Sequence, residues 1–473
     1  MVDAKNFNFS VNIGSHYIKN KIMSKNIRIC RGLDIPLKGQ AKIQKKDPVV
    51  SEYIAIKPSD FLGITPKLVV KENDRVLAGD VIFIDKHQPE LCIVSPVSGQ
   101  IKTIERGAQR KILNILIQAD SATEYRVLEP LEVGVSTSET VKKTLLNSGL
   151  WAFINQRPFD ILAQVDSKPK GIFISSFDTH PLAPSSEIVL AGQEKYLQIA
   201  LDALSKIAPV HLSVHQKMEN LASFESLKNV QIHHFSGPHP AGNVGVQIHH
   251  IDPINKSEVA WTLDLFALIV IGKRLLENRY DVRKTIAVTG SALQEPFYVE
   301  TVIGTAISTL VEHKNKHQNG SLRYISGNPL TGENVGEKGY LGFYHSQITV
   351  LPEGLKPKFF LTEGWLSLGL NRFSNSRLYP SFLTPNKQYE IDTNLNGEER
   401  AFVVTGELER VFPFDILPMQ LIKSAMYGDI EEMENLGIYE VAPEDFALCE
   451  YVCTSKLNIQ QIIREGLEKV QKS

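Results

Sequence analysis

The stretch KLVVKENDRVLAGDVIFIDKHQPELCIVSPVSGQI, residues 67–101, decides the fold of the first third of the chain. LVV, VIFI and LCIV are short β-branched runs, and ILNILI follows at 112–117, each bounded by turn residues. Asn73-Asp74 and Gly79-Asp80 sit between runs, and Ser98-Gly99 comes just after Pro96. Glycine and asparagine accept the positive φ that tight turns demand, so this spacing predicts closely connected antiparallel strands. The string Val70-x-x-Asn73-Asp74-x-Val76-x-x-Gly79-Asp80-x-Ile82, followed by SPVSGQI, resembles the biotinyl/lipoyl carrier domains, a flattened barrel sandwich. Those carriers modify a lysine at a hairpin tip, and Lys86 stands at the matching place. The segment from Lys86 to Pro96 is longer than in the carriers and Pro89 interrupts it, which favours an unmodified, solvated lysine.

Downstream, residues 127–283 alternate helical and strand patterns. VKKTLLNSGLW is helical by spacing, GIFISS reads as a buried strand, and QEKYLQIALDALSKI places Leu197, Ala200, Leu201 and Leu204 on one helical face. VHLSV and VQIHHF are further strands, so a largely parallel α/β sheet is expected. From 284 to 355 the order is KTIAVTG (strand), EPFYVE (strand), IGTAISTLVEHKNK (helix) and SLRYISG (strand), a β-grasp arrangement. Residues 356–473 are expected to be mainly helical, with Ile459, Ile462, Ile463, Leu467 and Val470 forming the apolar face of the last helix. Pro443 suits the first turn of a helix, where its missing N–H would have no partner anyway. The expected organisation is therefore an N-terminal extension (1–26), a barrel-sandwich domain (27–126), a Rossmann-like α/β domain (127–283), a β-grasp (SLBB-like) domain (284–355) and a helical C-terminal domain (356–473).

Composition bounds the function. The chain has 473 residues, 42% hydrophobic and 22% charged, with a net charge of −2, the balance of a soluble multidomain protein and not of a nucleic-acid binder. The most apolar stretch, Leu263 to Ile271, holds Asp264 and is far short of the roughly 20 residues a spanning helix needs. Residues 1–22 lack the apolar core of a secretory leader, and four cysteines without framework spacing fit a reducing compartment. A cytoplasmic protein that docks on a membrane through a partner is expected.

RGLDIPLKG (31–39), SPVSG (95–99), SGLW (148–151), RPF (157–159), GPHPAG (237–242), ISG (325–327), YLGFYH (340–345) and ALCEYVC (447–453) closely resemble the NqrA family, one of the subunits of the bacterial sodium-translocating NADH:quinone oxidoreductases. The likeness runs from about residue 27 to the end. More distantly the layout is similar to the RnfC subunit of the Rnf complexes and to the flavin-binding subunit of respiratory complex I. The resemblance implies a peripheral subunit on the cytoplasmic side of the bacterial inner membrane. Its complex would have six subunits, some integral to the membrane, and would pass electrons from NADH to ubiquinone while moving sodium outward.

The distant relatives carry three or four clustered cysteines near the C-terminus, ligating an iron–sulfur cluster. Here only Cys449 and Cys453 remain, and such clusters normally take four thiolates. The pair reads as a vestigial cluster position, four residues apart on one helix face. Flavin-binding relatives also open their α/β domain with a glycine-rich phosphate loop at a helix N-terminus. At that place this chain reads LLNSGLWAFINQRPF, with Gly149 left and Trp151, Phe153 and Arg157 supplying bulk. The implied subunit carries no tightly bound cofactor and is not catalytic alone. The alternatives are a biotin or lipoate carrier and, ahead of it, a self-contained flavin-dependent NADH dehydrogenase subunit.

Two loops remain as candidate contacts. DTHPLAP (178–184) follows the strand GIFISS, and GPHPAG follows VQIHHF, at the ends of parallel strands where α/β sheets bind ligands. Asp178, His180, Gly237, Pro238, His239 and Gly242 are therefore expected to contact quinone, the substrate of the complex, or a partner subunit. The histidines at 233, 234, 239, 249 and 250 suggest a metal site, but neighbours on a strand point to opposite faces and zinc-motif spacings are missing, so no metal is assigned.

Overall fold

The structure is a computed structural model and describes residues 24–219, 221–312, 321–355, 359, 361–362, 364 and 366–473. Most of the expected extension, residues 1–23, lies outside the described residues.

The quoted stretch builds two antiparallel sheets. One orders Tyr53–Ile56, Ile112–Ala119, Gly99–Arg106 and Arg75–Val76; the other orders Pro66–Leu68, Val81–Asp85 and Cys92–Val94. Ile101, Ile115 and Ile117 are fully buried, the last two at period-two spacing, and so are the consecutive Ile82 and Phe83, where the strand's register shifts. Asn73 has φ 72° and Gly79 φ 99°, the turn geometry expected of them. Lys86 is exposed, but its hairpin is not free: the Gln88 side chain accepts a hydrogen bond from Val165 N at 3.3 Å, pinning the tip to the next domain.

That next domain centres on a seven-stranded sheet ordered Asn26–Arg28, Gln231–Ser236, Val210–His215, Ile172–Ser175, Ala260–Asp264, Asn155–Arg157, Ile161–Leu162. The first five are parallel and the last two antiparallel. From Ile172–Ser175 the chain winds outward to Val210–His215 on one side and later to Ala260–Asp264 on the other. The order thus reverses at the carboxyl end of Ile172–Ser175, where doubly wound sheets open a crevice. Across that switch point Asp264 is already committed: its side chain accepts from Ala267 N at 2.7 Å and caps the helix Leu265–Glu277.

A six-stranded sheet follows, ordered Glu333–Asn334, Leu322–Ser326, Gln347–Pro352, Arg283–Thr289, Phe297–Val302, Lys45–Lys46. Its hairpin, helix Ile307–Val311 and parallel return strand Gln347–Pro352 make the β-grasp unit. The helix is shorter than its sequence pattern suggests, and residues 313–320 lie outside the described residues. In the C-terminal region helices begin only at Glu407, and between Leu355 and that point the described residues hold one short turn, Pro380–Leu383. Helices Pro418–Tyr427 and Ile459–Lys472 then pack together, with Gly466 against Ala425 and Leu421, Ile422, Ile463 and Leu467 buried.

The N-terminal stretch does not stay with the barrel. Asn26–Arg28 pairs with His234–Ser236 of the α/β sheet, and Lys45–Lys46 pairs with Tyr298–Val299 of the β-grasp sheet.

Candidate functional site

The loops 178–184 and 237–242 do leave the same sheet edge, and they are bonded to each other. Ser175, the last residue of the central strand, donates its hydroxyl to Gly242 O at 3.0 Å and accepts from the Gln247 amide at 2.9 Å. Gly242 N donates to Thr179 Oγ1 at 2.9 Å. A β-carbon on Gly242 would lie 2.7 Å from Thr179 N, so only glycine lets the two loops close.

Within this junction His180 Nδ1 and Asp178 Oδ1 are 2.5 Å apart, and the same oxygen accepts from His180 N. The Asp178 side chain is densely surrounded yet 39% exposed, as a group lining a crevice must be. Burial alone would raise its pKa, but the charge and hydrogen bonds of His180 outweigh that and hold it at about 2. For His180 the balance is mirrored: burial lowers it, Asp178 more than compensates, and its pKa is raised. His239 stacks beside it at 4.4 Å between ring centroids, and burial, reinforced by the His180 charge, pushes it down to about 2. His239 is therefore neutral.

Thr179 Oγ1, which accepts from Gly242 N, lies 3.1 Å from His239 Nδ1; with the hydroxyl donating there, the ring proton sits on Nε2. His239 N donates to Asp34 Oδ1 at 2.8 Å, tying the RGLDIPLKG segment to the loop. The Nε2 atoms of both His180 and His239 are buried and have no partner among the described residues. A ring N–H at either position suits a carbonyl or anionic oxygen.

Gly237 and Pro238 have structural places: Gly237 abuts the Ile29 backbone, and Pro238 O accepts from Ala241 N at 3.0 Å. The other half of the first loop turns away from the crevice. Pro181 O accepts from Gln347 and Ala183 O from Gln40, while Leu182 packs with Leu37, Ile325 and Leu351 on the β-grasp side.

Sequence reasoning missed the acidic neighbours. Arg157, assigned to the loop that replaces the flavin site, is fully buried and reaches Glu444 Oε1 at 2.6 Å and Asp445 Oδ2 at 3.4 Å. Asp445 itself lies against the first turn of the helix Val244–Ile251, where a β-carbon on Gly245 would meet its Oδ2 at 2.6 Å. Burial raises the Asp445 pKa well above the carboxylate range, and Arg157 only partly offsets this. The signal was present: Asp445 is the third residue of a turn opened by Pro443, where an acid caps backbone N–H groups, and Ala442 N does donate to it. That local role concealed the long-range one.

The remaining flavin-loop residues are packed. Trp151 is fully buried, edge-on to Trp261 at 5.1 Å, and donates its indole N–H to Ala163 O at 2.6 Å. Gly149 has φ 70°, and a β-carbon there would stand 2.6 Å from Val94 of the barrel. Cys449 and Cys453 are both buried; Cys453 is the C-cap of the helix Ala447–Val452 and lies close enough to Cys449 to act on its thiol. His249 and His250 are corrected: they lie on the helix Val244–Ile251, not on a strand, and His249 binds Glu440 Oε2 at 2.7 Å. His233 instead meets His211 at 3.1 Å beneath the sheet strands. Among the described residues no group of three or more metal-ligating side chains is placed to hold an ion.

Comparison with known proteins bears on this architecture along almost its whole length. Residues 27–120 match the family description "NqrA N-terminal barrel-sandwich hybrid domain", residues 136–280 "NqrA second alpha/beta domain" and residues 285–337 "NQRA C-terminal domain". Relatives named as the NqrA component of the Na(+)-translocating NADH-quinone reductase are similar throughout. The one from Hahella chejuensis is 33% identical over 449 residues, covering 94% of this chain and 99% of its own length. The chain belongs to the NqrA family. The Neisseria meningitidis serogroup A member is 33% identical over 450 residues, and the Rhodopirellula baltica member 32% over 452, each at 94% coverage of this chain and 99% and 98% of their own. A solved structure, an air-oxidized NAD+-reducing [NiFe]-hydrogenase, is 11% identical over 49% of this chain and 52% of that one, with a TM-score of 0.33. NqrA is by name one subunit of several, and among the described residues of this member no helix is long and apolar enough to cross a membrane.

Proposed function

We propose that this NqrA-family chain is a peripheral subunit of a sodium-translocating NADH:quinone oxidoreductase, and that its crevice at Asp178, His180 and His239 receives the quinone headgroup. The relatives' shared name supports the reaction class: NADH oxidation, quinone reduction and sodium translocation by the assembly. A cytoplasmic position, six subunits and docking on integral membrane subunits belong to the same proposal. NADH, flavin and iron–sulfur chemistry falls to the other subunits. Trp151 and Arg157 fill the flavin-loop position, Val94 covers Gly149, and the two late thiols sit in apolar surroundings.

One observation carries the quinone assignment: the two buried, unpartnered Nε2 atoms of His180 and His239, side by side at the switch point of the sheet. A quinone needs donors to its carbonyl oxygens, and the Asp178–His180 pair can also supply a proton as the oxygen gains charge. The decisive experiment is crosslinking with a photoreactive quinone in the assembled complex. Label within residues 178–180 or 237–242 is expected, and label confined to other subunits defeats the assignment. A second reading has its own support, because Pro181–Ala183 is bonded to the β-grasp domain: the loop then serves domain packing alone.

A further inference from the structure

Residues 366–388, LSLGLNRFSNSRLYPSFLTPNKQ, contain three basic side chains and no acidic one, in a chain whose net charge is −2. The segment is also inverted in polarity. Leu366, Leu368, Leu370, Leu378, Phe382 and Leu383 are between 52% and 81% exposed. Its interior is made instead by polar groups. Arg372 donates to Gly364 O at 3.2 Å and to the Tyr379 hydroxyl at 2.9 Å; Lys387 donates to Leu370 O at 2.7 Å and Asn371 Oδ1 at 2.9 Å; Ser374 N donates to Ser381 Oγ at 3.1 Å. Among the described residues no carboxylate forms an ion pair with Arg372, Arg377 or Lys387, and Arg377 is exposed. The base of the segment is fixed, with Lys38 N donating to Tyr389 O at 2.9 Å and Tyr389 N to Pro36 O at 2.8 Å.

A soluble surface rarely shows so many large apolar side chains in so short a segment, and when it does a partner or a membrane covers them. Apolar side chains beside basic ones match an anionic lipid surface: the hydrocarbon enters the headgroup zone while the exposed Arg377 meets phosphates. We propose that residues 366–388 lie on an anionic bilayer, as a direct lipid contact of this subunit. This goes beyond docking through other subunits, and rests on the reading that the chain works in a membrane-bound assembly.

The test is flotation of the purified full-length chain with vesicles of phosphatidylglycerol and phosphatidylethanolamine, against pure phosphatidylcholine. Binding to the anionic vesicles is expected to be about tenfold stronger or more, and to fall with added salt. Arg377→Gln should weaken it several-fold, and Leu368→Ser with Leu378→Ser should abolish it. All three positions are exposed, so the fold is retained. Trp151 and Trp261 are fully buried, so a change in tryptophan emission on vesicle binding reports Trp365, beside Leu366 in sequence. Failure to float, or flotation indifferent to these substitutions, overturns the proposal. So does concentration-dependent self-association that the leucine substitutions remove, which assigns the surface to a second copy. Normal assembly into the detergent-solubilised complex alongside failed flotation leaves the subunit reading intact; failed assembly counts against that reading instead.

Discussion

Val94, on the last strand of the smaller barrel sheet, occupies the space directly over Gly149, at 2.6 Å from where a β-carbon would be. This glycine lets two domains touch. Gly149→Ala combines that overlap with a left-handed φ, and is expected to destabilise the chain by about 1–3 kcal/mol. Denaturant midpoints measure it. Val94→Ala should recover part of the loss in the double variant, and strictly additive effects would show that the two residues do not press on each other.

Arg157 is enclosed with Asp445, whereas Glu444 keeps about a third of its side chain in solvent. Arg157→Met strands a buried carboxylate and should cost about 3–5 kcal/mol, freeing the C-terminal helices to early proteolysis. Glu444→Gln should cost less than about 1 kcal/mol. Equal losses from the two substitutions would contradict this burial contrast.

Acid should loosen the protein before its carboxylates titrate. His211 and His233 are held down at about 4 and His239 at about 2, all chiefly by burial. A histidine depressed in the folded state is protonated first in the unfolded chain. Stability is thus full above the ordinary value near 6.5 and is lost as pH falls toward the folded values, by up to about 1.4 kcal/mol per pH unit for each ring. His180 opposes this, since its raised pKa contributes stability at low pH that fades as pH rises through the folded value. His215, His250 and His345 are lowered by burial as well, and six rings against one predict a urea midpoint that drops between about pH 7 and about pH 5; a constant midpoint would refute the neutral assignments.

In the assembled complex His180→Ala or His239→Ala should reduce quinone photolabelling of this chain and raise the quinone KM about tenfold, one lost hydrogen bond to a buried group. Thr179→Val releases the His239 tautomer and should give a smaller effect in the same direction. Unchanged labelling in all three would assign these loops to packing.

Lys86→Arg should leave quinone reductase activity unaltered, and intact mass of the native chain should equal the unmodified sequence. An added mass lost in the variant would revive the carrier reading.

The barrel was legible because Asn73 and Gly79 mark turns no other residue type fills as easily, and the helix Lys195–Leu204 because its leucines recur at helical spacing. The convergence of the 178 and 237 loops followed from strand order alone. Asn26–Arg28 and Lys45–Lys46 escaped because their strands are two or three residues long, with little burial, so patterning had nothing to register. The partnership of Arg157 with Glu444 and Asp445 spans nearly the whole α/β and β-grasp region, a separation over which a single sequence shows no periodic signal.

The threading of residues 26–46 has a consequence for synthesis. His234–Ser236 and Tyr298–Val299 emerge from the ribosome some two to three hundred residues after the strands they hold. The early stretch must wait unpaired while the barrel behind it is completed, and the sheets close around it only when the middle of the chain arrives. Maturation is therefore a post-barrel event, and a transcript cut before residue 234 yields an opening strand with nothing to join.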